Sequence, residues 1–111
     1  MELIRKISSE EEKLLDLLIK KAQLDVSANW KDSLLVKPMN DGEMGSLKLY
    51  SDGLKLDNRH FGKQISDFQF LDVDGVNVIA SLNIDTNGDL YELDIWKTDF
   101  TSLISIPKFL I

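Results

Sequence analysis

Apolar and polar residues alternate most regularly after residue 63, as they do in half-buried β-strands. The alternation predicts three strands, at residues 64–72, 76–85 and 89–97. Short turns separate them, because Val73–Gly75 fits a three-residue loop and Asn87-Gly88 is a strong hairpin signal. The three strands should therefore follow one another as an antiparallel meander.

The first half of the chain carries a helical pattern and two weaker strands. Apolar residues recur at helical spacing over about residues 9–24, after a capping box that pairs Ser8 with Glu11 or Ser9 with Glu12. Residues 34–38 and 46–50 predict two further strands, with hairpin-turn chemistry at Asp41-Gly42 between them.

These elements predict one α+β domain over residues 1–111. An N-terminal amphipathic helix should pack on one face of an antiparallel meander sheet of about four to five strands. The apolar tail, residues 101–111, contains Pro107, which favours an edge strand or an irregular plug.

The hairpin register decides which side chains share a face of the sheet. A two-residue loop at Asn87-Gly88 places Leu82 opposite Leu93 and Ala80 opposite Ile95, with Ile84 opposite Tyr91. That face is apolar, and a slip of one residue would bury Glu92, so the register is well determined. The helix is expected to cover this face.

The opposite face collects polar and acidic residues. Across three strands the register forms a row of Asp67, Ser81 and Asp94, with Glu92 nearby on the last strand. A second row places Trp96 beside Ile79 and Gln69. The pattern therefore predicts an acidic surface next to one aromatic side chain, and solvent exposure alone would also explain it.

Charge is unevenly distributed along the chain. The net charge is −6, and the segment 64–111 carries eight acids against Lys97 and Lys108, whereas acids and bases balance before it. Such a segment repels phosphate backbones, which disfavours nucleic-acid binding, and it attracts basic proteins. Acidity that serves only solubility is the alternative.

Several chemistries find no support in the sequence. The absence of cysteine excludes disulfides, thiolate zinc sites and cysteine nucleophiles. Asp85–Trp96 has the first oxygen ligands of a calcium loop but lacks its glycine and its final glutamate. His60 lies in a polar loop without a serine motif around it. We therefore predict no cofactor, no resident metal and no catalytic residue.

Location and assembly follow from the same features. No signal segment and no apolar run long enough for a membrane span is visible, so we expect a cytoplasmic protein without membrane association. A homodimer could form through the apolar tail at Ile104–Ile111.

Three segments carry a resemblance to a known family: DGEMGSL at residues 41–47, DVDGV at 72–76 and LNIDTNGDLYELDIWKTDF at 82–100. The chain resembles a family of small uncharacterised bacterial proteins, a domain of unknown function, over nearly its whole length. The family implies no activity and no catalytic residues. In size, acidity and α+β layout the chain is also similar to immunity proteins that neutralise bacterial toxins.

The sequence favours a non-enzymatic binding module, immunity-like or an adaptor, that captures a basic protein. The candidate contact residues are Asp67, Ser81, Glu92, Asp94 and Trp96. The alternative is a small metal-dependent hydrolase that uses the carboxylates of the same face.

Overall fold

A computed structural model describes residues 4–40, 42–51 and 58–108 of the chain. Asp41 of the predicted first turn, residues 52–57 of the polar loop and residues 109–111 of the predicted tail lie outside these ranges. The elements are β1 (Arg5–Lys6), α1 (Ser9–Ala22), β2 (Leu35–Pro38), β3 (Leu47–Tyr50), β4 (Phe61–Leu71), β5 (Asn77–Asp85) and β6 (Leu90–Lys97).

Local side-chain chemistry determines where α1 begins and ends. Of the two possible capping boxes the structure uses Ser8 and Glu11: the Ser8 hydroxyl accepts from the Glu11 N–H, and the Glu11 carboxylate accepts from the Ser8 N–H. Arg5 also donates two hydrogen bonds to Glu11, both at 2.8 Å. At the other end Gln23 adopts a left-handed conformation and its N–H donates to the last carbonyls, which ends the helix.

The described strands form one antiparallel sheet in the order β1-β2-β3-β6-β5-β4. Helix α1 packs on one face of the sheet, where Leu14, Leu15 and Leu18 are completely buried. Strands β5 and β6 contribute the facing core residues, which are Val78, Ala80, Leu82, Leu93 and Ile95. The α+β class and the antiparallel helix-on-sheet arrangement are confirmed.

Two features of the predicted sheet were wrong. The described sheet has six strands instead of four to five, because β1 adds an exposed two-residue strand that pairs with β2. A segment of two residues is too short to show alternation. The sheet is also not a simple meander, since β3 pairs with β6 and β4 lies at the far edge.

The register of the last three strands agrees with the prediction except at one position. Leu82 pairs with Leu93 and Ala80 with Ile95, but Ile84 pairs with Leu90 instead of Tyr91. A β-bulge between Asn83 and Ile84 absorbs the difference, because β6 contributes one extra residue at this point. On the other side of β5, Phe68 and Phe70 pair with Ala80 and Val78.

Candidate binding face

The sheet face opposite α1, which we call the open face, presents the alternate residues of β4, β5 and β6. Asp67 pairs with Ser81, and Ser81 pairs with Asp94, so the predicted acidic row exists across three strands. Gln69, Ile79 and Trp96 form the next row in the same way. Asp67 and Asp94 flank Ser81 at two strand spacings, about 10 Å apart.

The residues of these rows differ in how far they reach solvent. Asp67 and Asp94 are exposed, whereas Ser81 and Glu92 are half-buried. The Asp94 carboxylate accepts a hydrogen bond from the Ser46 hydroxyl at 3.1 Å, which restricts its position. Lys21 reaches from α1 to the β4 edge, where it donates to the Asp67 carbonyl and lies 3.9 Å from the Asp67 carboxylate.

Strand β3 adds basic residues that the sequence did not place on the open face. Lys48 pairs directly with Glu92, and Lys37 of β2 pairs with Lys48. Paired residues share a face, so Glu92 has a cation beside it. Lys21 lies 3.9 Å from the Asp67 carboxylate and Lys48 pairs with Glu92, so the negative charge of the open face is centred on Asp94.

An exposed aromatic pair adjoins the acidic row. The side chain of Trp96 is 44% exposed, and the ring of Phe100 lies 6.0 Å from it between centroids at an interplanar angle of 50°. Phe100 is 71% exposed and Leu71, on the same face, is 62% exposed. Neighbouring exposed apolar side chains on one face are typical of an interaction surface. The sequence did not indicate Phe100, because it follows β6 in an irregular segment.

A buried ion pair lies on the other side of β6 and holds the segment after it. The Lys97 side chain is 1% exposed, and its ammonium donates to Asp72 at 2.9 Å, Asp74 at 2.7 Å and the Ser102 carbonyl at 3.1 Å. Asp72 also accepts from the N–H groups of Ile104 and Ser105. We call this group of contacts the tail clasp.

The tail clasp shifts the pKa of both partners. Burial alone would raise the pKa of Asp72, but hydrogen bonds from the Ile104 N–H, Lys97, and the Val73 and Ser105 N–H groups outweigh it and lower the pKa to about 2. For Lys97 burial lowers the pKa, and the hydrogen bonds to Asp74 and Asp72 outweigh it and raise the pKa. Both groups therefore stay charged at neutral pH.

Further contacts fix the tail against the β2–β3 connection. The Leu103 N–H donates to the Glu43 carbonyl, and the Ser102 hydroxyl donates to the Gly42 carbonyl. Gly45 has a φ of +100°, and a Cβ there would lie 3.0 Å from Leu103 Cδ2, so glycine suits both its backbone and its contact. The described tail is irregular, and Leu103 and Ile106 pack against the core of the same chain.

A buried polar cluster closes the end of the open face that lies farthest from Trp96. The Arg59 guanidinium lies 5.0 Å from the ring centroids of both Tyr50 and Tyr91. It also donates to the Leu90 carbonyl at 3.0 Å and approaches the buried Asp85 carboxylate at 3.9 Å. The exposed Asp94 and Trp96 lie towards the other end of β6.

The turn that resembled a calcium loop bonds its own backbone. Asp85 Oδ1 accepts from the N–H groups of Asn87 and Asp89 at 2.9 and 3.0 Å, which is the geometry of an Asx turn. Within residues 4–40, 42–51 and 58–108 no group of three or more histidine, cysteine or acidic side chains is arranged to hold a metal ion. His60 is exposed.

A known family model covers nearly all of the chain. Residues 4–107 match the family model described as Domain of unknown function (DUF6984). The chain belongs to this family. Membership in a family of unknown function agrees with the resemblance found in the sequence, while a bacterial origin stays a prediction. No curated protein and no solved structure shows significant similarity to this DUF6984 chain.

None of the helices among the described residues has both the length and the apolar character that crossing a bilayer requires.

Proposed function

We propose that this DUF6984 chain is a non-enzymatic binding module, immunity-like or an adaptor, that captures a basic protein on the open face. The observation that carries the proposal is the exposed Trp96 beside the exposed Asp94, both on strand β6. Tryptophan is enriched among the residues that dominate binding energy at protein interfaces.

The charge distribution supports a basic partner. Among the eight acids of segment 64–111, Asp72 and Asp74 bind Lys97, and Asp85 is buried near Arg59. Asp94 and Asp67 remain exposed on the open face. The Asp67 carboxylate lies 3.9 Å from the Lys21 ammonium, so Asp94 contributes more of the field. Like-signed exposed charges attract an oppositely charged partner over a Debye length and mainly accelerate association.

The rigidity of the scaffold also supports binding. Trp96, Ser81 and Asp94 lie on β5 and β6, which pair along most of their lengths. The backbone of paired strands is already ordered before a partner binds. Association therefore loses little conformational entropy at these residues, and more of the interaction free energy contributes to affinity.

Charge reversal tests the proposal. We would compare wild type with Asp67→Lys/Asp94→Lys in affinity capture from lysate of the source organism, at low and at physiological ionic strength. The matched control is Asp25→Lys/Asp32→Lys, which changes the net charge equally but alters exposed acids away from the open face. We expect a basic protein to be retained by wild type and by the control and lost by the open-face variant.

Two results would contradict the proposal. Equal loss in both variants would mean that net charge alone attracts the partner. Equal retention in all three proteins would mean that the open face is merely solvated. Thermal unfolding of each variant shows whether it remains folded, so that a lost interaction is not mistaken for a lost fold.

A further inference from the structure

Phe100 combines an unfavourable backbone with an exposed ring. Its φ is +63°, a left-handed conformation that glycine and asparagine adopt readily and aromatic residues rarely do. Burial does not explain the choice of residue, because 71% of the side chain is exposed. Strained residues that persist in a fold are concentrated at binding and catalytic sites.

The surrounding contacts hold Phe100 in this conformation. The Phe100 N–H donates to the Lys97 carbonyl at 2.8 Å, and the Asp99 carboxylate accepts from the Thr101 N–H and hydroxyl. The turn is closed by the Lys97 ammonium, which donates to the Ser102 carbonyl and is itself held by Asp72. The tail clasp thus places the Phe100 ring against Trp96 before any partner arrives.

We infer that Trp96 and Phe100 form a preorganised platform for an arginine side chain of the partner, with Asp94 as the counter-ion. This inference rests on the proposed function and names the group that the open face recognises. Aromatic faces attract cations, and the weakly hydrated planar guanidinium stacks on them better than an ammonium does.

The ring geometry indicates where the guanidinium lies. A planar group sandwiched between two parallel rings needs about 7 Å between them, twice a carbon contact distance of about 3.5 Å. The centroids of Trp96 and Phe100 are 6.0 Å apart and the rings are tilted by 50°. The guanidinium therefore stacks on the solvent side of the pair and not between the rings.

Asp94 supplies the charge that makes the platform selective for a cation. It lies two residues before Trp96 on β6, so both side chains project from the same face about 7 Å apart. The Ser46 hydroxyl donates to one Asp94 oxygen at 3.1 Å, and a carboxylate can accept further hydrogen bonds from a guanidinium. The platform and its counter-ion are therefore within the span of one arginine side chain.

The test is an NMR titration that observes the indole N–H of Trp96. The probe is the peptide acetyl-Gly-Arg-Gly-amide, and the matched peptide carries citrulline, which is neutral and nearly isosteric with arginine. The chain has two tryptophans, so a Trp30→Phe variant assigns the signals. We expect the arginine peptide to shift the Trp96 signal saturably and the citrulline peptide to bind about tenfold more weakly. A lysine peptide should bind more weakly than arginine.

A variant separates recognition from folding. Phe100→Gly removes the ring at a position where glycine relieves the backbone, so the melting temperature should stay equal or rise while the arginine peptide binds severalfold more weakly. Phe61→Ala removes another exposed aromatic side chain, on β4, and should leave peptide binding unchanged.

Specific outcomes overturn the inference. If the citrulline peptide binds as tightly as the arginine peptide, the platform does not recognise a cation. If the lysine peptide binds as tightly, the platform does not prefer a guanidinium. If Phe100→Gly melts at a lower temperature yet binds the arginine peptide normally, the Phe100 ring serves the fold and not recognition. If the peptide fails while capture still depends on Asp67 and Asp94, the platform is wrong and the binding module stands. If capture shows no such dependence, the binding module falls whatever the peptide does.

Discussion

At the scale of single residues, Lys97 shows how one side chain can link distant parts of the chain. Its ammonium is buried, and it joins the turn after β4 to the segment after β6 through Asp72, Asp74 and the Ser102 carbonyl. A buried ion pair adds little net stability over an apolar replacement, because both charges lose their hydration. Removing one partner is different, since it leaves the other charge buried alone.

Lys97→Met should therefore lower the free energy of unfolding by about 3–5 kcal/mol, because Asp72 would remain buried without its cation. Urea unfolding followed by circular dichroism measures the change. Lys63→Met, which replaces an exposed lysine on β4, should change stability by less than about 0.5 kcal/mol. Equal losses in both variants would show that the tail clasp has no special role.

At the scale of elements, side chains accept hydrogen bonds from the backbone of β6 beyond the point where its pairing with β3 ends. Strand β3 pairs only with Leu93 and Glu92 of β6. Beyond it, the Ser46 hydroxyl accepts from the Ile95 N–H at 2.8 Å, and Met44 Sδ accepts from the Lys97 N–H at 3.4 Å. Unpaired backbone groups buried without such partners cost free energy, so the residues before β3 serve β6.

Ser46→Ala tests this role, because it leaves the buried Ile95 N–H without its acceptor. We expect a loss of about 1–3 kcal/mol in the free energy of unfolding and faster hydrogen exchange at the Ile95 amide. Ser81→Ala is the matched control, since it removes a hydroxyl from β5, which is paired on both sides. Unchanged protection at Ile95 would mean that another group satisfies this amide.

Elements also show how far the sequence could predict the structure. Turn chemistry at Gly75 and Asn87-Gly88 made the β4–β5–β6 register predictable, because short loops restrict which residues pair. No turn encodes the pairing of β3 with β6, which are remote in sequence. That pairing brings Lys48 beside Glu92, so the presence of a cation next to Glu92 was also unpredictable.

The candidate site was predictable where it depends on strand alternation and not where it depends on contacts between remote residues. Alternation placed Asp67, Ser81, Asp94 and Trp96 on one face, and the structure has them in the predicted rows. The positive φ of Phe100 could not be predicted, because tertiary contacts impose it against the residue's own preference. Likewise, the sequence did not identify Asp72 as the partner of Lys97, because the two residues are remote in the chain.

At the scale of the whole molecule, the fold divides its acids between internal and external roles. Asp72 is internal, and its pKa falls from an ordinary value of 3.8 to about 2 in the folded state. A lowered pKa means that the folded state stabilises the ionised carboxylate relative to the protonated one. The resulting stabilisation is complete above about pH 4 and is lost as the pH falls towards 2.

Asp72→Asn should therefore be destabilised relative to wild type at pH 7, and the difference should shrink between pH 4 and pH 2. Wild type loses the stabilisation from the ionised Asp72 as this carboxylate is protonated, whereas asparagine does not ionise and has no such stabilisation to lose. Chemical unfolding of both proteins across this range measures the difference. A difference independent of pH would contradict the role of the Asp72 charge.

The strand order also has a kinetic consequence. The contact between Ser46 and Asp94 joins residues 48 positions apart, so the chain must close a long loop before β3 can dock on β6. The β4–β5–β6 hairpins close much shorter loops and can form first. Pairing between residues remote in sequence slows folding, so we expect this domain to fold nearer the millisecond-to-second regime of β-rich folds than the microsecond regime of helical bundles. Until β3 arrives, the backbone of β6 is an open edge, and the nascent sheet is most exposed to pairing with another chain during that interval.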